Sequence, residues 1–140
     1  MNSKNSPQVA IIMGSTSDEE EMKNCMKILT EEGINHTVDY ISAHREPEKL
    51  SAFLKTLEPE GYKVIIAAAG GAAALPGVCA AYTDLPVIGV PLTSSALNGI
   101  DSLYSIVMMP GGVPVATMSV GSWGAKNAAV FAVKILKLIG

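Results

Sequence analysis

Four residues at the end of an apolar run carry the clearest chemistry in this chain. They are Ser42-Ala43-His44-Arg45, after Val38-Asp39-Tyr40-Ile41 and before Glu46-Pro47. His44 is one of two histidines in 140 residues. A neutral imidazole gives or takes a proton near neutral pH. A neighbouring guanidinium, here Arg45, can hold a phosphate or carboxylate through paired hydrogen bonds. A lone strand-end histidine is also a common surface or hydrogen-bonded structural residue, so its meaning depends on what other loops bring to it.

Several such loops exist. Val9–Met13 is apolar and ends in Gly14-Ser15-Thr16-Ser17-Asp18. Serine hydroxyls and backbone N–H groups at a helix start can hold a phosphate. The run lacks the lysine of a Walker A loop and is not Gly-x-Gly-x-x-Gly. Asp18 would repel a phosphate at close range and is expected on sugar hydroxyls instead. An ordinary Ser/Asp helix cap explains the same residues. A third apolar run ends in Gly70-Gly71-Ala72-Ala73-Ala74-Leu75-Pro76-Gly77. Side chains this small imply close backbone approach, either to a ligand or between subunits, and tight helix–sheet packing accounts for them equally. Pro91–Gly99 and Met109–Ala116 are two further loops rich in Ser, Gly and Pro, and the apolar Met108-Met109-Pro110 stretch suits an oligomer contact. Neither a metal-ligand cluster nor a Ser/His/Asp constellation can be assembled from the spacing. The residues suggest a single-histidine acid/base site with a phosphate-bearing substrate.

The elements that must position these loops follow from periodicity. Short apolar strands are expected at 9–13, 37–41, 63–69, 86–90 and 113–120. Helices are expected from the Ser17/Asp18 cap to Gly33, from Pro47 through Leu50, Phe53, Leu54 and Leu57, at 78–82, at 102–108 and at 125–138. Strict β-α alternation predicts an α/β fold, a three-layer α/β/α sandwich on a five-stranded parallel sheet. The flavodoxin-like order 2-1-3-4-5 would put the ligand cleft near the first and third strands.

Bulk composition narrows the classes. Residues are 49% hydrophobic and 16% charged, with mean hydropathy +0.33. This implies a sheet buried on both faces, apolar surface covered by partner subunits, or both. Net charge is −3 with no basic run, which argues against nucleic-acid binding. Apolar stretches are broken by Gly, Pro or polar residues, so no membrane span is expected. Residues 1–8 read as a polar disordered leader without a signal-peptide core, and 9–140 as one domain. Cys25 and Cys79 lie far apart in expected helices, as buried free thiols of a cytoplasmic protein would.

Together these motifs resemble the N5-carboxyaminoimidazole ribonucleotide mutase family, also called phosphoribosylaminoimidazole carboxylase catalytic subunits. The matching runs are Met13–Asp18, Ser42–Arg45, Gly70–Ala73 with Leu75-Pro76-Gly77, Pro86–Pro91, Leu97–Leu103 and Met109–Thr117, in family order along nearly the whole chain. Leu-Pro-Gly resembles the bacterial mutase branch rather than the branch that uses free carbon dioxide. The resemblance implies an isomerase of purine biosynthesis. It moves a carboxylate from the exocyclic nitrogen of the aminoimidazole ribonucleotide to the ring carbon through a captured carbon dioxide, without metal, ATP or organic cofactor. It implies that His44 shuttles the proton, that Ser15 and Asp18 bind the nucleotide, that Arg45 binds its phosphate, and that the loop from Gly70 lines the carbon dioxide pocket. The full set expected at the substrate is Ser15, Ser17, Asp18, Ser42, Ala43, Arg45, Gly70, Gly71, Ala72, Ala74 and Leu75. It also implies a homo-octamer with sites at subunit contacts.

The chain departs from the family pattern in three places. The family's loop usually reads Gly-Gly-Ala-Ala-His-Leu-Pro-Gly, and Ala74 occupies the histidine position. Three readings of that alanine stay open: a replacement introduced on purpose, a homologue with impaired or altered chemistry, or a site in which His44 suffices and Ala74 only weakens binding. A ribonucleotide binder that turns over poorly is therefore the alternative to an active mutase, and a non-catalytic assembly subunit is a third. The family's usual C-terminal helical extension is also expected to be missing beyond Gly140. Finally, Gly121-Ser122-Trp123-Gly124 replaces a Gly-x-Ala-Gly pattern, with Trp123 expected at a packing or interface position.

Overall fold

The computed structural model describes residues 7–140. In chain order the elements are β1 (Val9–Met13), α1 (Glu19–Glu31), β2 (His36–Tyr40), α2 (Pro47–Leu57), β3 (Val64–Ala69), α3 (Leu75–Tyr82), β4 (Val87–Pro91), α4 (Ile100–Val107), β5 (Ala116–Thr117) and α5 (Ser122–Ile139). All strand pairs are parallel, and the order is β2-β1-β3-β4-β5, as the alternation predicts. Most of the expected leader lies outside the described residues. At its end, Gln8 is hydrogen-bonded, donating to Asn35 O (2.8 Å) and accepting from Lys63 N–H (2.8 Å).

The three layers follow from side-chain alternation on strands buried on both faces. Val9, Ile11, Met13, Val64, Ile66, Ala68, Ile88 and Val90 face one core with Met22, Cys25 and Leu29 of α1 and Ala125, Ala128, Ala129 and Ala132 of α5. Ala10, Ile12, Ile65, Ala67, Ala69 and Val87 face the other, with Leu50, Leu54 and Leu57 of α2, Leu75 and Cys79 of α3 and Ile106 of α4. The apolar stripes read from the sequence for α1 and α2 are the ones that pack. Both cysteines are free and buried. Burial pushes each thiol up to about 12, so both are packing residues and neither is a nucleophile at neutral pH.

The structure corrects several expected boundaries. The fifth strand, expected over 113–120, shrinks to Ala116–Thr117, paired with Ile88 and Gly89. It is an edge strand, and Pro114 just before it has no N–H to give to a ladder. Helix α3 begins at Leu75 rather than 78, because Pro76 falls in the first turn, where a missing N–H does no harm. Helices α4 and α5 also begin two to three residues earlier than their apolar stripes suggest. Neither Ser17 nor Asp18 caps α1 with its side chain. Residues 16–18 form a 3-10 turn, and Ser15 Oγ caps it by accepting from the Ser17 N–H (3.2 Å) and the Ser17 hydroxyl (3.0 Å). The Asp18 carboxylate makes no capping bond.

Gly124, in the first turn of α5, is buried, and a Cβ there would fall on the carbonyl oxygen of Ser119. A backbone oxygen cannot rotate aside. Gly124→Ala is expected to lose about 3 kcal/mol, the upper part of the range for overpacking. That corresponds to roughly 10 °C in thermal unfolding for a domain of this size. Melting followed by circular dichroism checks it, and an unchanged midpoint would disprove the close approach.

Candidate functional site

Loops from four adjacent parallel strands meet at the carboxyl edge of the sheet, around the point where β1 and β3 diverge. This is where doubly wound sheets bind ligands. They enclose a cavity of about 210 Å³. The loop after β1 contributes Gly14, Ser15, Ser17 and Asp18, and the loop after β2 contributes Ser42, Ala43 and His44. The end of β3 and its loop contribute Ala69, Gly70, Ala72, Ala74 and Leu75, and the loop after β4 contributes Ser94. A larger hollow of about 570 Å³ lies away from this edge, between Glu58, the segment 80–87 and residues 112–114. It contains no histidine or cation, so chemistry rather than size selects the smaller cavity.

Ten of the twelve residues singled out from the sequence line this cavity, and Arg45 and Gly71 do not. Arg45 is exposed beside His44. Its backbone N–H donates to Ser42 Oγ (3.1 Å), which shapes the turn that presents His44. Gly71 has φ +63 and turns the loop between the two wall residues Gly70 and Ala72. His44 is itself exposed, and among the described residues no side chain hydrogen-bonds its ring. The second histidine, His36, begins β2, while this cavity lies past the strand ends. Its Nδ1 lies 2.9 Å from Ile34 O.

Asp18 is the buried carboxylate of the wall, only 7% exposed. Burial raises its pKa, the Ser15 backbone beside it pulls the other way, and the nearby Glu21 charge adds to the rise. A carboxylate whose folded pKa is raised above its unfolded value opposes folding once both are ionised. This opposition is absent below the ordinary aspartate range and grows as pH rises through the folded value. Asp18→Asn is therefore expected to melt above the parent at pH 7, with the gap closing as pH falls into the ordinary carboxylate range. A pH series of thermal melts checks this, and a gap that widened on acidification would refute it.

Ala74 occupies the N-cap position of α3 with ordinary helical dihedrals (φ −75, ψ −19) and makes no side-chain capping bond. Its carbonyl accepts from Val78 N–H (3.0 Å). The start of α3, the positive end of its dipole, thus opens on the cavity with only a methyl group at its mouth. Gly70 is a close-approach glycine: a Cβ there would overlap Ser94 Oγ. Gly14, Ala69 and Ser94 are the wall residues not singled out from the sequence; the first two adjoin residues that were, and Ser94 does not. Its Ser-rich loop stood out, but which serine turns inward depends on how the β4 loop lies against the β3 loop. Among the described residues, no group of three His, Cys, Asp or Glu side chains could hold a metal ion.

Comparison with known proteins identifies relatives of this chain. The family model described as AIR carboxylase matches residues 8–139. The N5-carboxyaminoimidazole ribonucleotide mutase of Escherichia coli K12 is 53% identical over 137 residues, 97% of this chain and 81% of that protein. The mutase of Bacillus subtilis is 58% identical over 130 residues, 93% of this chain and 80% of that one. The mutase of Pyrococcus abyssi is 57% identical over 132 residues, 94% and 75% respectively. A crystal structure of Treponema denticola PurE superposes with a TM-score of 0.85 at 31% identity, covering 96% of this chain and 82% of that one. With the family model matched over nearly its whole length and relatives above half identity, the chain belongs to the AIR carboxylase family.

Proposed function

We propose that this chain is an N5-carboxyaminoimidazole ribonucleotide mutase of purine biosynthesis, working through His44 in the cavity at the carboxyl edge of the sheet. The observation that carries the reading is the convergence of the Ser15–Asp18, Ser42–His44 and Gly70–Leu75 segments on one small cavity in a chain more than half identical to mutases. In the reaction the N–carboxylate bond breaks, and the exocyclic nitrogen takes a proton from the His44 imidazolium as carbon dioxide departs. The ring carbon then attacks the trapped carbon dioxide, forming the new C–C bond, and its own proton returns to the imidazole. One proton is given and one taken, so the net change is an isomerisation.

The wall suits that sequence. Gly70, Ala72 and Ala74 leave space for a three-atom molecule and little room for water, which keeps the released carbon dioxide near its acceptor. The backbone N–H groups at the start of α3 favour a carboxylate. A cavity of about 210 Å³ is below the usual size for a whole ligand. The reacting base would fill it, with the ribose near Asp18 and the phosphate at the rim, where Arg45 is exposed.

A homo-oligomer, an octamer by family likeness, would complete the site. Ile100, Tyr104 and Val107 make an exposed apolar face on α4, Met108 just past its end is also exposed, and Trp123 is 79% exposed, more than a packing residue of a lone chain would be. Met109, by contrast, packs over Gly77 within the chain. No helix among the described residues is long and apolar enough to cross a membrane, and the proposed place of action is the cytoplasm. The test is to supply the N-carboxylated ribonucleotide and follow formation of the C-carboxylated one. Ribonucleotide binding without conversion would favour the second reading, a binder impaired by Ala74, whose methyl group stands in the cavity wall.

A further inference from the structure

The loop after β4 is anchored by buried groups at its two ends. Leu92 is buried, and its N–H donates to Ala69 O (2.9 Å). The buried Ser102 hydroxyl is shared between Leu92 O (2.7 Å) and Gly99 O (3.0 Å). Between these anchors Thr93 and Ser94 are exposed, yet Ser94 lines the cavity. Two carboxylates reach into this stretch. On α1, Glu21 Oε1 accepts the Thr93 N–H (3.1 Å), and Glu21 Oε2 accepts the Thr93 hydroxyl (2.9 Å). On α4, Asp101 accepts the Ser95 hydroxyl, and Ser95 Oγ in turn accepts the Leu97 N–H (3.2 Å). The start of α5 backs the first clamp, since a Cβ added at Gly121 would lie 3.1 Å from Glu21 Oε2.

We propose that Glu21 is a positioning residue for carboxylate transfer: it fixes Thr93 so that the adjacent Ser94 hydroxyl faces the cavity against Gly70. This rests on the reading of that cavity as the mutase site. One carboxylate accepting both the backbone and the side-chain donor of a single residue sets that residue's place and its rotation, and charged acceptors hold more strongly than neutral ones. Glu21 also stands one turn after Asp18. It therefore ties the wall bearing Ser15 and Asp18 to the wall bearing Ser94. There the Ser94 hydroxyl can donate to an oxygen of the migrating carboxylate, a contact that tolerates little displacement.

The test is a double-mutant cycle on the full chain. Glu21→Ala is expected to lower kcat about tenfold, within the range for a displaced catalytic contact, with KM for the ribonucleotide little changed because other loops bind it. Glu21→Gln should recover most of the loss, since its amide oxygen can accept the Thr93 N–H while its amide N–H donates to Thr93 Oγ1. In a Ser94→Ala background Glu21→Ala should change kcat by less than about twofold, because the two residues act as one unit. An equal loss in both backgrounds, or no loss in either, overturns the proposal. Amide hydrogen exchange at Thr93 reads the clamp without turnover and should accelerate in Glu21→Ala. If the parent converts no substrate, the mutase reading falls, and unchanged exchange at Thr93 overturns the clamp independently.

Discussion

His44→Asn is expected to lower turnover of the N-carboxylated ribonucleotide by about a thousandfold, the middle of the range for losing a general acid/base. Asparagine is similar in size and keeps hydrogen-bonding capacity but cannot exchange a proton. His44 is exposed at the mouth of the cavity, so no core is disturbed and the variant should melt with the parent. Ribonucleotide affinity should fall only a little, because the remaining wall persists. Steady-state kinetics beside calorimetric binding separates these effects. Turnover within tenfold of the parent would remove His44 from the mechanism, since no other histidine or cysteine lines the cavity.

Ala74→His is the second large effect, and it acts in the opposite direction. The position is already helical in φ and ψ, so an imidazole can enter without backbone strain. From the cavity wall it would meet the reacting carboxylate. The positive end of the α3 dipole disfavours the imidazolium, so the added ring would be a neutral hydrogen-bonding group. Turnover should rise by at least about tenfold, a conservative share of what a placed hydrogen-bond donor contributes at a developing charge. Comparing kcat of the two proteins under conditions where chemistry limits the rate decides the matter. A fall in kcat would mean that the methyl group suits this chain's pocket and that His44 suffices.

The expected gain from Ala74→His concerns the one wall position where a legible motif is broken, and it shows how unevenly the sequence reveals the site. Ser15, Asp18, His44 and Gly70 could be picked out because a parallel sheet must send each strand's carboxyl end to the same edge. A polar or glycine-rich run after an apolar strand is thereby assigned to one face of the molecule. The same logic does not say which side chain of a loop turns inward. Arg45 adjoins His44 in sequence yet stands outside the wall. Ser94 was hidden among Thr93, Ser95 and Ala96, and only its seat against Gly70 distinguishes it.

The sequence by itself determined the α/β/α layering and the strand end at which His44 sits. Each follows from local pattern: unbroken apolar runs in β1, β3 and β4, stripes at helical spacing in α1 and α2, and turn residues between them. The tertiary structure alone decided the length of β5, the 3-10 turn capped by Ser15 ahead of α1, and the tie from Glu21 to Thr93. Among the described residues β5 pairs only with β4, and Pro114 lies two residues before it, so its apolar composition overstates its pairing. The Glu21–Thr93 contact joins residues 72 positions apart, and no local preference encodes such a pair. It exists because α1, the β4 loop and the start of α5 are brought together at one edge of the sheet.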